Sequence, residues 1–470
     1  MAEYLREMAT VPRFAAAAHR PARRRLWEAE AQSPLVRLMI GNAIGDAFGF
    51  GIEMQDAHWI RKAVTRFDEW PQNHILLEQY RRNNVRGFYS EDAEMTVGLM
   101  KALVAHGSSL DRDTMLRAWK DEWEVAKTRP PPAVKGLERQ GHGGIGAVWR
   151  GETTLESLRE RQAAREDPGN AAPMRALPIG FVADANERVR LCIENADATH
   201  PHPRARAAAF LIATACRHLI VEGGERSTLL HTCTAALKAS TLSDSSTLAH
   251  LDALSSLGDY HAYGARFSAM PRAVHATLCG PQPCPFTTHP CGSDGTSRME
   301  GICSDAMRTA GAVLYLCQWA SGPLDVLTAS IDLGGDVDSV ASLCLGLVGG
   351  SDGLRFGEAG GLSWRLLEEL EGVEYLLKHA KAFEAWLAKQ PPPKPVVAER
   401  SNVESPVERL RKAREGYHEA NHRQPPPPPP PPSVWSMLSG VVARMPPFAY
   451  PLLAAAIAAA LSAASRRRMR

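Results

Sequence analysis

Apolar residues recur with helix-type periodicity over 111–125, 203–219, 227–239, 305–319 and 324–331, which predicts amphipathic helices there. Val97, Leu99, Met100, Leu103 and Val104 keep the same spacing behind residues 89–96, and 340–345 reads as a buried helix. Strand-type alternation is scarce, so the pattern predicts an all-α domain. Gly41, Gly45 and Gly49 are spaced by four on a helix of small residues, which allows close helix packing. Asp46, within that helix, reads as a buried polar group bonded to neighbouring backbone. The helix ends at a glycine-rich turn, and Glu53 lies beyond it in a loop. There it is either a solvated surface carboxylate or a group that reaches a site.

The pattern changes at both ends. Residues 1–33 form a basic leader with Arg13, Arg20, Arg23, Arg24 and Arg25 and an alanine run at 15–18. The main domain is expected over 34–390. Pro391, Pro392 and Pro393 open a Pro-rich linker, 391–444, expected to be disordered apart from a short charged helix and a polyproline II run, Pro425 to Pro432. That run suits a partner with an aromatic groove. Residues 445–465 carry no charge, and Arg466, Arg467, Arg468 and Arg470 follow. The segment 445–470 therefore reads either as a C-terminal membrane anchor or as an alanine-rich surface helix.

At 470 residues the chain is long enough for one large domain plus tails. A formal charge of +2 gives no argument for nucleic-acid or membrane binding by the main body. Nine cysteines and the lack of a secretory apolar segment suit a reducing compartment. Cys192, Cys216, Cys317 and Cys344 sit in apolar helical runs and read as buried free thiols. Cys279, Cys284 and Cys291 cluster in a Pro-rich insert, with His289 or Cys303 as a fourth zinc ligand in the alternative reading.

Two segments concentrate oxygen chemistry. Residues 334–339 read Gly-Gly-Asp-Val-Asp-Ser. Positions i and i+2 do not share a helix face. Asp336 and Asp338 can converge only if the backbone there is not yet helical, and Gly334 and Gly335 supply that freedom. Residues 90–92, Ser-Glu-Asp, place a second hydroxyl and two carboxylates at a predicted helix start. Each cluster taken singly is ordinary N-capping chemistry. Together they supply six oxygen ligands, a set for hard cations such as Mg²⁺, Mn²⁺ or Ca²⁺.

In this order the motifs resemble those of the ADP-ribosylglycohydrolase family, which includes the dinitrogenase reductase-activating glycohydrolase and the ADP-ribosyl-acceptor hydrolases. Residues 45–53 match its Gly-Asp-x-x-Gly…Glu segment, 90–96 its Thr-Asp-Asp-Thr-x-Met-Thr segment and 334–339 its Gly-Gly-Asp-x-Asp-Thr segment. Residues 169–175 resemble its Gly-Asn-Gly-x-x-Met-Arg loop, Thr199-His200 its Thr-His pair, and 141–144 a glycine-rich substrate loop. The resemblance implies a single orthogonal helical domain holding two Mg²⁺ ions, with Mn²⁺ an alternative. The implied ligands are Ser90, Glu91, Asp92, Asp336, Asp338 and Ser339. Glu53, Asp92 and Asp336 become the catalytic group, and Gly141, Gly143, Gly169, Asn170 and His200 the lining of an ADP-ribose groove. For His200 a packed structural role stands as the alternative.

The implied activity is metal-dependent hydrolysis of the bond between ADP-ribose and an acceptor, which is a protein side chain, a nucleic acid or a small molecule. The expected partner is an ADP-ribosylated substrate, the expected state a monomer, and the expected place the cytoplasm, tail-anchored to an intracellular membrane if the C-terminal run spans one. The alternative is a non-catalytic ADP-ribose or nucleotide-binding module, or a structural protein reusing the fold. Departures from the family pattern bear on that choice. Glu91 replaces an Asp with an arm longer by roughly 1.5 Å. Ser90 and Ser339 replace Thr, Ala93 replaces Thr, and Ala171 replaces Gly.

Overall fold

The computed structural model of the chain describes residues 20–71, 87–127, 143–281 and 300–390. All of them fall in one unit, Met1–Lys394; the other unit, Pro395–Arg470, lies outside the described residues, together with the polyproline run and the apolar tail. Among the described residues no helix is long and apolar enough to cross a membrane.

The described architecture is all-α, as the periodicity predicts. The helices that position the site are α1 (Arg20–Glu30), α2 (Pro34–Phe50), α3 (Ala57–Ala63), α4 (Glu91–His106), α5 (Arg112–Lys127), α6 (Gly143–Trp149) and α7 (Leu155–Ala163). They are followed by α8 (Ala171–Met174), α9 (Ala185–Asp197), α10 (Pro203–Cys216), α11 (Leu229–Ala239), α12 (Ser245–Ser255) and α13 (Arg272–Cys279). The last group is α14 (Ala306–Trp319), α15 (Pro323–Asp332), α16 (Val337–Asp352), α17 (Trp364–Glu369) and α18 (Val373–Leu387). The five periodic stretches correspond to α5, α10, α11, α14 and α15. Strand pairing among the described residues is limited to isolated bridges, Gln55 with Gly335, Ile302 with Gly335 and Gly169 with Asp305.

The core runs along α2 and α16. Both are buried almost all round, with fifteen of the seventeen α2 residues in the interior. Such helices need neighbours on every side. Their own contact is backbone to backbone. A Cβ on Gly41 would lie 2.4 Å from Leu345 O, one on Gly45 2.1 Å from Ala341 O, and one on Gly49 2.4 Å from Asp338 Cα. The three glycines spaced by four are therefore a seam that lets α16 lie directly on α2.

Part of the leader is α1, which puts Trp27 into the core beside Phe356, with ring centroids 5.0 Å apart. Arg23, 5% exposed, donates from Nη1 to the carbonyls of Glu368 and Leu370, closing the C-terminal end of α17. The arginines that suggested a leader thus include structural ones.

Cys192, Cys216, Cys317 and Cys344 are buried free thiols, as expected. Cys279 and Cys303 are also buried, while Cys284, His289 and Cys291 lie outside the described residues. Gly45→Ala pushes a methyl into the Ala341 carbonyl. We expect a loss of at least about 1–3 kcal/mol in unfolding free energy. Chemical denaturation checks this, and a wild-type midpoint would contradict the seam.

Candidate metal centre

Two helix starts and one loop converge at the α2–α16 seam. Gly334 and Gly335 take positive φ, +70° and +79°, and a Cβ on Gly335 would meet Ile302 O at 2.2 Å. The turn is fixed on both sides. Met54 N donates to Gly335 O at 2.8 Å and Gly335 N to Gln55 O at 2.8 Å, while Asp336 N donates to Ile302 O at 3.0 Å. The Glu53 loop and the Asp336 turn are thereby tied together through their main chains. Asp336 occupies the N-cap position of α16 with non-helical φ −77° and ψ 65°, so Asp336 and Asp338 point to one place as the motif requires.

The simple capping reading fails for both clusters. Ser90 stands at the N-cap of α4 in extended conformation, yet its side chain makes no capping bond, and neither does that of Asp336. Ser90 Oγ and Asp92 Oδ1 are instead buried with no protein partner. A buried orphan oxygen is costly unless something else satisfies it.

The carboxylates gather in two overlapping triads. Oxygens of Asp46, Asp92 and Asp338 lie within 4.8 Å of one another, as do those of Glu53, Asp336 and Asp338. Asp338 belongs to both. Asp46, Asp92, Asp336 and Asp338 are each at most 3% exposed, and Glu53 is half-buried. Burial, then Asp46, Glu91 and Asp336, push the Asp92 carboxyl well above its ordinary range, against a bond from the Ser339 hydroxyl. Asp338 is driven the same way by burial, Glu53, Asp336 and Asp92. Like charges at this density need protons or a cation. The donors are all oxygen, so the residues present fit a hard divalent cation.

A pocket of about 380 Å³ adjoins the cluster, a volume in the usual range for small-ligand sites. Glu91, Met54, Gly144, Gly169, Asn170 and His200 help to line it. Asn170 is the link, because its Nδ2 donates to Asp336 Oδ2 and to Thr309 Oγ1, both at 3.1 Å. Gly169 N donates to Gln162 Oε1 at 3.1 Å. The glycine is there for space: a Cβ would sit 2.8 Å from His200 Nε2. His200 is buried and its Nδ1 pairs with Thr199 Oγ1 at 2.7 Å. Burial, with Arg175 and Arg165 nearby, lowers its pKa to about 3, so it is a neutral imidazole. Gly143 opens α6, whose Gly144 and Ile145 line the pocket, and Gly141 lies outside the described residues.

Several participants were not singled out from the sequence. Arg175 is fully buried, bonded to Asn195 Oδ1 at 2.7 Å and Thr199 Oγ1 at 2.9 Å, and lies 3.7 Å from the Trp119 ring centroid. It fixes the pocket wall. Thr309 and Ser304, from the start of α14 and the loop before it, also take part. Arg175 closes the 169–175 motif, but its partners, and the places of Thr309 and Ser304, are set by tertiary packing that no local spacing announces.

The family profile of the ADP-ribosylglycohydrolases matches residues 28–376, and the chain belongs to that family. Membership points to a glycosylhydrolase-type enzyme acting on ADP-ribose linkages. Among solved structures the chain is similar to an ADP-ribosylglycohydrolase-related protein complex, at 18% identity over 76% of this chain and 99% of that one, with a TM-score of 0.46. A search of curated proteins returns no match.

The crowded carboxyls set a pH dependence. Unfolded, they titrate near ~4; folded, Asp92 and Asp338 hold protons to higher pH. The folded state then binds more protons, and this contribution to stability falls as pH rises through that window. In EDTA, Tm should therefore fall as pH rises above the ordinary carboxylate range, less steeply in Asp338→Asn, and Mg²⁺ should restore it at the higher pH. A Tm indifferent to Mg²⁺ there would contradict the cation site.

Proposed function

We propose that this chain hydrolyses the glycosidic bond between ADP-ribose and an acceptor, reversing ADP-ribosylation, with Mg²⁺ or Mn²⁺ held at the acidic cluster. The observation that carries the reading is the meeting of two sequence-distant acidic motifs beside a pocket, with Ser90 Oγ and Asp92 Oδ1 buried and unpartnered. Plain helix capping leaves both oxygens unexplained.

Ser90, Glu91, Asp92, Asp336, Asp338 and Ser339 would hold the cations. The sharing of Asp338 between the two triads supports two positions side by side. Bound there, such ions polarise ribose hydroxyls and lower the pKa of water. Glu53 stands with Asp336 and Asp338 on a loop that the Gly335 turn holds in place. Its carboxylate takes a proton from water attacking the ribose C1″, where oxocarbenium character develops as the acceptor leaves. Asn170 keeps Asp336 oriented, and His200 bounds the substrate end as a neutral hydrogen-bonding group. Glu91 lines the pocket itself, so its longer arm sits at the boundary between cation and substrate. The acceptor is a protein side chain, a nucleic-acid end or a small molecule, and loop shape decides which.

Full-length protein incubated with arginine-linked, serine-linked, nucleic-acid-linked and O-acetyl ADP-ribose should release ADP-ribose from at least one of them with Mg²⁺ and none in EDTA. Glu53→Gln and Asp336→Asn should each lower kcat by about 10²-fold or more. Chromatography of the products decides. Release that survives EDTA would defeat the cation part, and binding without release would favour a non-catalytic ADP-ribose module.

A further inference from the structure

Asp46 has no exposure to solvent and sits mid-helix in α2, where an unsatisfied carboxylate is costly. Its oxygens are turned toward the start of α4. Oδ1 accepts from Ser90 N at 2.7 Å and Oδ2 accepts from Ala93 N at 2.9 Å. Ser90 N is the backbone donor of the N-cap residue, and Ala93 N is one of the first-turn amides that no helical carbonyl can satisfy. In most helices the N-cap side chain fills that role. Here Ser90 makes no capping bond and Asp46 does the work from another helix.

We infer that Asp46 is a positioning residue that caps α4 from α2 so that the side chains of Ser90 and Asp92 are released toward the cations. The inference rests on the proposed hydrolase reading and deepens it. One carboxylate from α2 relieves Ser90 of capping, which accounts for Ser90 Oγ being buried yet unpartnered. The negative charge near the positive end of the α4 dipole adds to the hold. The seam makes the reach fixed: Gly45 and Gly49, flanking Asp46, are the points at which α2 touches α16. Asp46 thus registers α4 against the same helix to which the glycine seam holds α16. Removing such an outer partner costs about 10–100-fold in metal affinity or activity in known sites.

The test uses full-length protein and Mn²⁺ as the probe. Asp46→Asn keeps the shape but presents an NH₂ group to one of the two backbone donors. Calorimetric titration should show Mn²⁺ affinity reduced by about 10-fold or more relative to wild type, with kcat falling more than KM changes. Wild-type Mn²⁺ affinity in a folded Asp46→Asn protein would overturn the inference and leave the hydrolase reading intact. A wild-type chain that binds no Mn²⁺ would overturn both. Should the variant not fold, hydrogen exchange in metal-free wild type decides. Amides of Ser90 and Ala93 should be as protected as mid-helix amides of α4, and rapid exchange there would refute the capping role.

Discussion

The site depends on the direct contact of α2 with α16. Three glycines remove the side chains that would otherwise hold the helices apart, and backbone meets backbone at Ala341, Leu345 and Asp338. Asp46 and Asp338 ride on the two touching surfaces. Their separation is therefore set by the closest approach two helices can make. The carboxylates crowd because their helices do, and crowding raises the cost of leaving them charged without a counter-ion. The same seam supplies the apolar burial of α2 and α16, so the fold's densest packing and its least comfortable charges share one surface.

That coupling explains how the chemistry is divided. Main-chain bonds fix the Glu53 loop to the Gly335 turn, and Asn170 ties the pocket wall to Asp336. The pocket is built from different elements, with Arg175 locked between Asn195, Thr199 and Trp119 and with Gly169 leaving room for His200. Ala171, in place of the family's glycine, lines the pocket and stands outside the acidic cluster. Glu91 is the residue where the two parts meet.

Much of this was legible in the sequence. Helical periodicity predicts the helices, the Gly-x-x-x-Gly-x-x-x-Gly spacing predicts the seam, and the i, i+2 carboxylates behind two glycines predict a non-helical turn at Asp336. The motif order carries the family. What stayed hidden was long-range. Ser90 and Asp336 stand at N-cap positions, as their residue types suggest, but nothing local shows that their side chains leave the cap unmade. Asp46 reads as a buried group bonded to backbone, which it is; that the backbone belongs to a helix 44 residues away is a tertiary fact. The arginine-rich stretch of α1 reads as a leader, yet Arg23 donates to the carbonyls of Glu368 and Leu370 and pairs with Glu374, partners too remote in sequence for any local pattern to show.

The central claim is that the shared Asp338 cluster is a cradle for divalent cations rather than a set of protonated acids. Titrating Mn²⁺ into metal-free full-length protein and following the free-ion EPR signal tests it most directly. The account predicts that the signal is suppressed until about two ions per chain are bound, and that Asp338→Asn abolishes the suppression. A free-ion signal that rises from the first addition, as in buffer, would contradict it.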